Sequence, residues 1–172
     1  GSDYADPTYL YKVKGADDST YTDQKPTQAG DYTVKATWAA TENCPEISDT
    51  DDFSILKREI TVSAEKTVKY NGFDQKLDIT EADITAGSVA GGETLDLSAS
   101  VTGKDKGVYD ELDATPAYKV TDGEGNETTS NYTITVTGKL TIEQAAADAF
   151  TGTVTLDDWT YGDEAKAEAP EV

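Results

Sequence analysis

Tyr132-Thr133-Ile134-Thr135-Val136-Thr137 sets a large apolar side chain at every second position with a threonine between, a strict period of two. Successive side chains of a strand point to opposite faces, so this stretch predicts a strand with one dry face and one wet face. The same period extends along the chain. Leu95, Leu97, Ala99 and Val101 alternate with Asp96, Ser98, Ser100 and Thr102, and Ile60 and Val62 alternate with Thr61 and Ser63. Tyr32, Val34, Ala36 and Trp38 alternate with Thr33, Lys35 and Thr37, and Tyr9, Tyr11 and Val13 with Leu10, Lys12 and Lys14. Thr and Tyr are plentiful in these runs, as expected where β-branched and aromatic side chains pack on a pleated surface. Gly15-Ala16-Asp17-Asp18, Gly91-Gly92, Asp122-Gly123-Glu124-Gly125-Asn126 and Gly138 fall between the runs and are expected to be turns. One short helical turn is predicted at Thr80-Glu81-Ala82-Asp83, a capping-box match. The class is all-β.

Parts of this pattern recur. Gly30-Asp31-Tyr32 returns as Gly107-Val108-Tyr109 at an offset of 77 residues, and Phe53-Ser54-Ile55-Leu56 as Leu140-Thr141-Ile142-Glu143 at an offset of 87. Val68-Lys69-Tyr70-Asn71-Gly72 is echoed by Trp159-Thr160-Tyr161-Gly162. In chain order the unit opens with the Tyr-Gly element, passes through a Gly-x-Tyr strand and closes with an x-x-Ile strand. Residues 57–143 hold all three elements. Residues 3–56 correspond to the later part of a first copy, 144–152 to a linker, and 153–172 to the opening strands of a further copy.

Composition narrows the chemistry. The 172 residues include 14 basic and 34 acidic side chains, a formal net charge of −20. Such a field repels phosphate and anionic lipid, which argues against nucleic-acid or membrane partners. Ten tyrosines and long alternating runs supply enough apolar surface to argue against disorder. There is no histidine, so the commonest general base and transition-metal ligand is missing, and no enzyme activity is expected. Cys44 is the only cysteine, so no intrachain disulfide is available; it reads as a small buried or semi-buried loop residue before Pro45. No run of about 18 apolar residues marks a membrane span. Gly1-Ser2, in a chain without Met, reads as a cloning remnant, which places the natural start and any export signal outside the sequence.

Segment 57–143 resembles the bacterial Ig-like repeats of the MBG/YDG type, which occur in tandem in large surface-exposed proteins. The resemblance lies in the Ile60 to Val62 strand, the Tyr70 to Gly72 turn, Gly107 with Tyr109, Asp122-Gly123, Ser130-Asn131-Tyr132-Thr133-Ile134, and the closing Leu-Thr-Ile strand. The Tyr-Asp-Gly that names part of the family is Tyr70-Asn71-Gly72 here. The resemblance implies tandem Ig-like β-sandwich modules, with a small β-grasp-like sheet around residues 80–84 as the alternative. It implies an extracellular location on a bacterial surface, neighbouring Ig-like repeats as partners, and a structural or spacer role. The alternative role is an adhesin module that binds a glycan or host protein. No catalytic residue carries over, and Tyr70, Tyr109 and Tyr132 are expected to be core or corner aromatics.

Four sharper readings stand beside this one. Asp122, Glu124 and Asn126 alternate in a Gly-rich loop, and Asp49, Asp51 and Asp52 cluster in sequence, which makes them candidate calcium ligands, although the spacing does not complete an EF-hand and no cofactor is expected. Lys66, Lys69 and Asn131 are trial partners for an isopeptide cross-link, which requires a buried lysine beside a catalytic carboxyl. Trp38 and Trp159, with Tyr9 and Tyr11, would offer sugar-stacking faces if exposed together. Finally, if the outer copies are partial, the 154–161 strand of one molecule would complete the 3–56 segment of another and give head-to-tail self-association.

Overall fold

The computed structural model of the protein describes residues 4–146 and 160–162. Ten strands follow in order: β1 (Thr8–Val13), β2 (Gly30–Trp38), β3 (Ile47–Ile55), β4 (Arg58–Lys69), β5 (Gln75–Ile79), β6 (Ile84–Ala86), β7 (Thr94–Gly103), β8 (Gly107–Tyr109), β9 (Ala117–Thr121) and β10 (Tyr132–Glu143). No α-helix occurs among the described residues, so the chain is all-β. The strands form three sheets, ordered β1-β2-β3, β6-β4-β10-β8 and β5-β7-β9.

The second and third sheets pack as a sandwich, and the alternation of the sequence fills the space between them. Ile60, Val62, Leu140 and Ile142 project from one sheet, and Leu77, Ile79, Leu95, Leu97, Val101 and Val120 from the other. All ten are buried. Closing this core is the main favourable term for the fold, at about 1.5–3 kcal/mol for each large aliphatic side chain taken out of water. β4 and β10 run parallel in unbroken register for twelve pairs, from Tyr132 opposite Arg58 to Glu143 opposite Lys69. Antiparallel β8 covers the far side of β10, with Tyr109 opposite Leu140 and Gly107 opposite Ile142.

Gly138 does not form the turn that its flanking runs suggest. It sits inside β10 and faces the opposite sheet, where an added Cβ would lie 2.6 Å from Ile79 Cδ1 and 2.9 Å from Val101 Cγ2. Glycine is needed there because the two sheets approach too closely for any side chain. The expected turns at Gly15, Gly92 and Gly125 do form, each glycine having a positive φ. At Thr80 the helical turn is a three-residue 3₁₀ segment, Glu81–Asp83. The Thr80 hydroxyl accepts from Ala82 N–H, and the Asp83 carboxylate accepts from Thr80 N–H at 2.9 Å. This turn sits at the rim of a two-sheet sandwich, so the β-grasp alternative, a sheet wrapped on a helix, does not apply.

The first sheet is built differently. β2 pairs antiparallel with β1 on one side and β3 on the other. No residue of this sheet is fully buried. Its apolar face is held by aromatic contacts: Phe53 stacks on Tyr32 at 5.6 Å between ring centroids and meets Tyr11 edge-on at 6.2 Å. Such pairs add about 0.5–1.5 kcal/mol each beyond burial. In β1 the expected dry face is largely wet, with Tyr9 and Val13 more than half exposed. Lys12, on the other face, is the tethered residue: its ammonium reaches Asp18 at 2.6 Å and Ala16 O at 2.9 Å and lies 4.9 Å from the centre of the Tyr21 ring.

Candidate functional site

The geometry of the Gly-x-Tyr strands is the same in both halves of the chain. Tyr32 lies opposite Phe53 and Gly30 opposite Ile55 in one pair; Tyr109 lies opposite Leu140 and Gly107 opposite Ile142 in the other. Each tyrosine hydroxyl reaches back four residues to a backbone carbonyl at 2.9 Å, Tyr32 to Gln28 and Tyr109 to Asp105. Each ring lies over its own glycine, so that a Cβ on Gly30 or Gly107 would touch it at 3.5 Å. The ring and its anchored hydroxyl fix the angle at which the chain enters the strand.

In the sandwich β10 has β8 on one side and β4 on the other, whereas β3 has β2 on one side and no strand on the other among the described residues. The free edge of β3 carries Asp49, Asp51 and Asp52. Ile47, Asp49, Asp51, Phe53 and Ile55 share one face, because alternate residues of a strand do so. Across the sheet that face continues through Trp38, Ala36 and Tyr9, since residues opposite in register share a side. Trp38 itself is half-buried, while Tyr9 is 52% and Ile47 46% exposed. Trp159 lies outside the described residues, as do 154–159 of the strand expected to self-associate.

Asp122 is occupied by nitrogen donors. Its carboxylate accepts from the backbone N–H groups of Glu124 and Asn126, both at 2.9 Å, and from Asn126 Nδ2 at 3.0 Å. These bonds hold its pKa below the ordinary aspartate value, led by the Asn126 side chain. Asn126 turns its amide N–H toward the carboxylates of Asp122 and Glu124, the reverse of how a calcium ligand presents oxygen. The loop therefore closes the β9 hairpin by itself. No group of three or more metal-ligating side chains assembles among the described residues, the Asp49, Asp51 and Asp52 cluster included.

The isopeptide trio is not brought together. Lys66 is exposed and donates to Lys76 O at 2.8 Å, and Lys69 pairs with Glu143 at 2.6 Å on the surface. Asn131 points elsewhere. Its Nδ2 donates to Gln28 Oε1 at 2.7 Å and its Oδ1 accepts from Ala29 N–H at 2.8 Å, joining segments more than 100 residues apart. Named from sequence as a trial isopeptide partner, Asn131 is instead the clamp between the first sheet and the sandwich. Nothing local signals that role, because both partners lie on a distant loop.

Of the expected corner aromatics, Tyr132 is buried, accepts from Ala90 N–H at 2.8 Å and donates to the Glu93 carboxylate. Burial raises its pKa, and Glu93 raises it further. Tyr70 packs its ring against the core. Cys44 is half-buried in its loop, where its N–H donates to Thr41 Oγ1 at 3.1 Å. No helix of the described residues is long and apolar enough to cross a membrane. No protein-family model, curated protein or solved structure matches the chain.

Proposed function

We propose that the chain is a non-enzymatic spacer segment of a bacterial cell-surface protein, made of Ig-like repeats that carry tension along the polypeptide. The observation behind this reading is the twelve-pair parallel ladder between β4 and β10. β4 opens the sandwich at Arg58 and β10 closes it at Glu143. In a parallel pair these two points are at opposite ends of one ladder, about 40 Å apart at roughly 3.3 Å per residue. Tension between them slides the strands past each other and loads all the ladder's hydrogen bonds together. A hairpin pulled from its open end loses its bonds one at a time.

The repeat reading draws support from the matching registers of Tyr32 with Phe53 and Tyr109 with Leu140, and from their matching hydroxyl anchors. Only residues 56 and 57 separate β3 from β4, and Asn131 ties the two parts together, so a stiff join is expected. The net charge of −20 would keep neighbouring molecules apart. Stretching single molecules checks the mechanical claim. Handles at residues 58 and 143 should give an unfolding force several-fold above that with handles at 69 and 143, which peel the ladder from one end. Equal forces would remove the basis for this reading.

The adhesin alternative has its own specific observation, the apolar strip of Tyr9, Trp38 and Ile47 on the open face of the first sheet. Binding on a glycan and matrix-protein array that disappears with Trp38→Ala would select it.

A further inference from the structure

We propose that the free edge of β3 is a docking site for a cationic β-strand, which adds parallel to β3 and presents the face pattern apolar, basic, basic, apolar, apolar opposite Ile47, Asp49, Asp51, Phe53 and Ile55. The edge is nine residues long, β3 pairs with β2 without a register shift, and its backbone groups on the other side meet no strand among the described residues. An unpaired edge of this kind is a ready template for strand addition.

The orientation comes from within the chain and rests on the repeat reading above. β2 and β3 share their register with β8 and β10, so the open side of β3 corresponds to the side of β10 that β4 occupies in parallel. With Phe53 matched to Leu140, Asp51 falls where β10 has Gly138 and Asp49 where it has Val136. Opposite those two positions β4 places Ala64 and Val62.

The chemistry of the occupant comes from charge. Two carboxylates on the sheet's apolar face would be stripped of water by an incoming strand, and only a lysine or arginine opposite each would compensate. On this proposal the same aspartates disfavour the head-to-tail strand expected from sequence, because residues 154–161 carry Asp157 and Asp158 and no basic residue. Inward-pointing charges are a known guard against indiscriminate edge pairing. Here the guard is selective: it turns away acidic copies of this chain and admits a basic strand.

Titration of the full chain with three synthetic peptides tests this: residues 60–68 carrying V62K, A64K and K66V, so that an apolar residue meets Phe53, the 60–68 sequence carrying K66V alone, and residues 153–161. The lysine peptide should bind at least tenfold more tightly than either other peptide. It should lose that advantage against the D49N/D51N chain, whose substitutions lie on exposed positions and leave the fold intact. A nitroxide at the peptide's N-terminus should broaden amide signals near Ile47 and spare those near Ile55. Failure of all three peptides to bind would mean the aspartates only guard the edge, and would overturn the proposal. So would broadening near Ile55, affinity unchanged in D49N/D51N, or equal binding of the 153–161 peptide. The stretching experiment loads only the β4 and β10 ladder, so the spacer reading can fail or stand independently of these outcomes.

Discussion

At Gly138 the sheets are so close that a methyl group would have to displace Ile79 and Val101, both fully buried. Gly138→Ala should therefore destabilise the chain by about 1–3 kcal/mol through overpacking. The check is a lower urea midpoint at an unchanged slope. Thr128 presents the opposite case. Its hydroxyl is buried with no hydrogen-bond partner among the described residues, so Thr128→Val should stabilise by about 1 kcal/mol by removing an uncompensated polar group. Asp113 carries the pH dependence at this scale. Its carboxylate accepts from Ser100 Oγ at 2.7 Å, Thr102 Oγ1 at 2.8 Å and Thr102 N–H at 2.9 Å, which hold its pKa below the ordinary aspartate value. A depressed folded pKa contributes stability that is complete above about pH 4 and is lost as pH falls through the lower, folded value. Urea midpoints of wild type and Asp113→Asn should differ at pH 6 and converge below pH 4.

Among the elements, the depth of burial separates the strands into two classes. β4, β7 and β10 bring together the fully buried Ile60, Val62, Val101, Leu140 and Ile142, whereas β1, β2 and β3 hold only half-buried or exposed side chains. Local opening should follow this division. Amides of β2 are expected to exchange at least about tenfold faster than those of the β4 and β10 ladder, a gap of about 1.4 kcal/mol. Native-state hydrogen exchange reads it strand by strand, and equal protection would mean that both parts open as one unit. The strands themselves were legible because their period of two is undisturbed. Gly138 is legible in the same phase: Tyr132, Ile134 and Val136 run on in step to Leu140 and Ile142, so position 138 falls on the core face. What the period cannot express is pairing between distant segments. The parallel match of β4 with β10, the missing neighbour of β3 and the reach of Asn131 to Gln28 all depend on which elements meet, and alternation specifies only which side of each faces inward. The wet face of β1 was hidden for the same reason, since the same pattern of Tyr9, Tyr11 and Val13 serves whether or not a second sheet covers it.

For the whole molecule the decisive quantity is the balance between five ion pairs, four of them exposed on both sides, and a large excess of like charge. Lys12–Asp18, Lys14–Asp52, Lys69–Glu143, Lys76–Asp78 and Lys119–Glu127 are the pairs among the described residues. Each pair has at least one partner open to solvent, where such contacts contribute little and weaken with salt. Against them stand 34 acidic side chains and only 14 basic ones, so most carboxylates have no basic side chain to pair with, and folding brings like charges closer together. Raising ionic strength from 0.01 M to 1 M shortens the screening length from about 30 Å to about 3 Å, which removes much of that repulsion while sacrificing only the small gain of the pairs. Repulsion should win. The urea midpoint is therefore expected to rise steadily with added sodium chloride, with urea as the denaturant because guanidinium would itself supply the salt. A midpoint that falls instead would mean that the few lysine contacts, above all the part-buried Lys12 with Asp18, outweigh the charge excess, and that the acidic exterior costs the fold little.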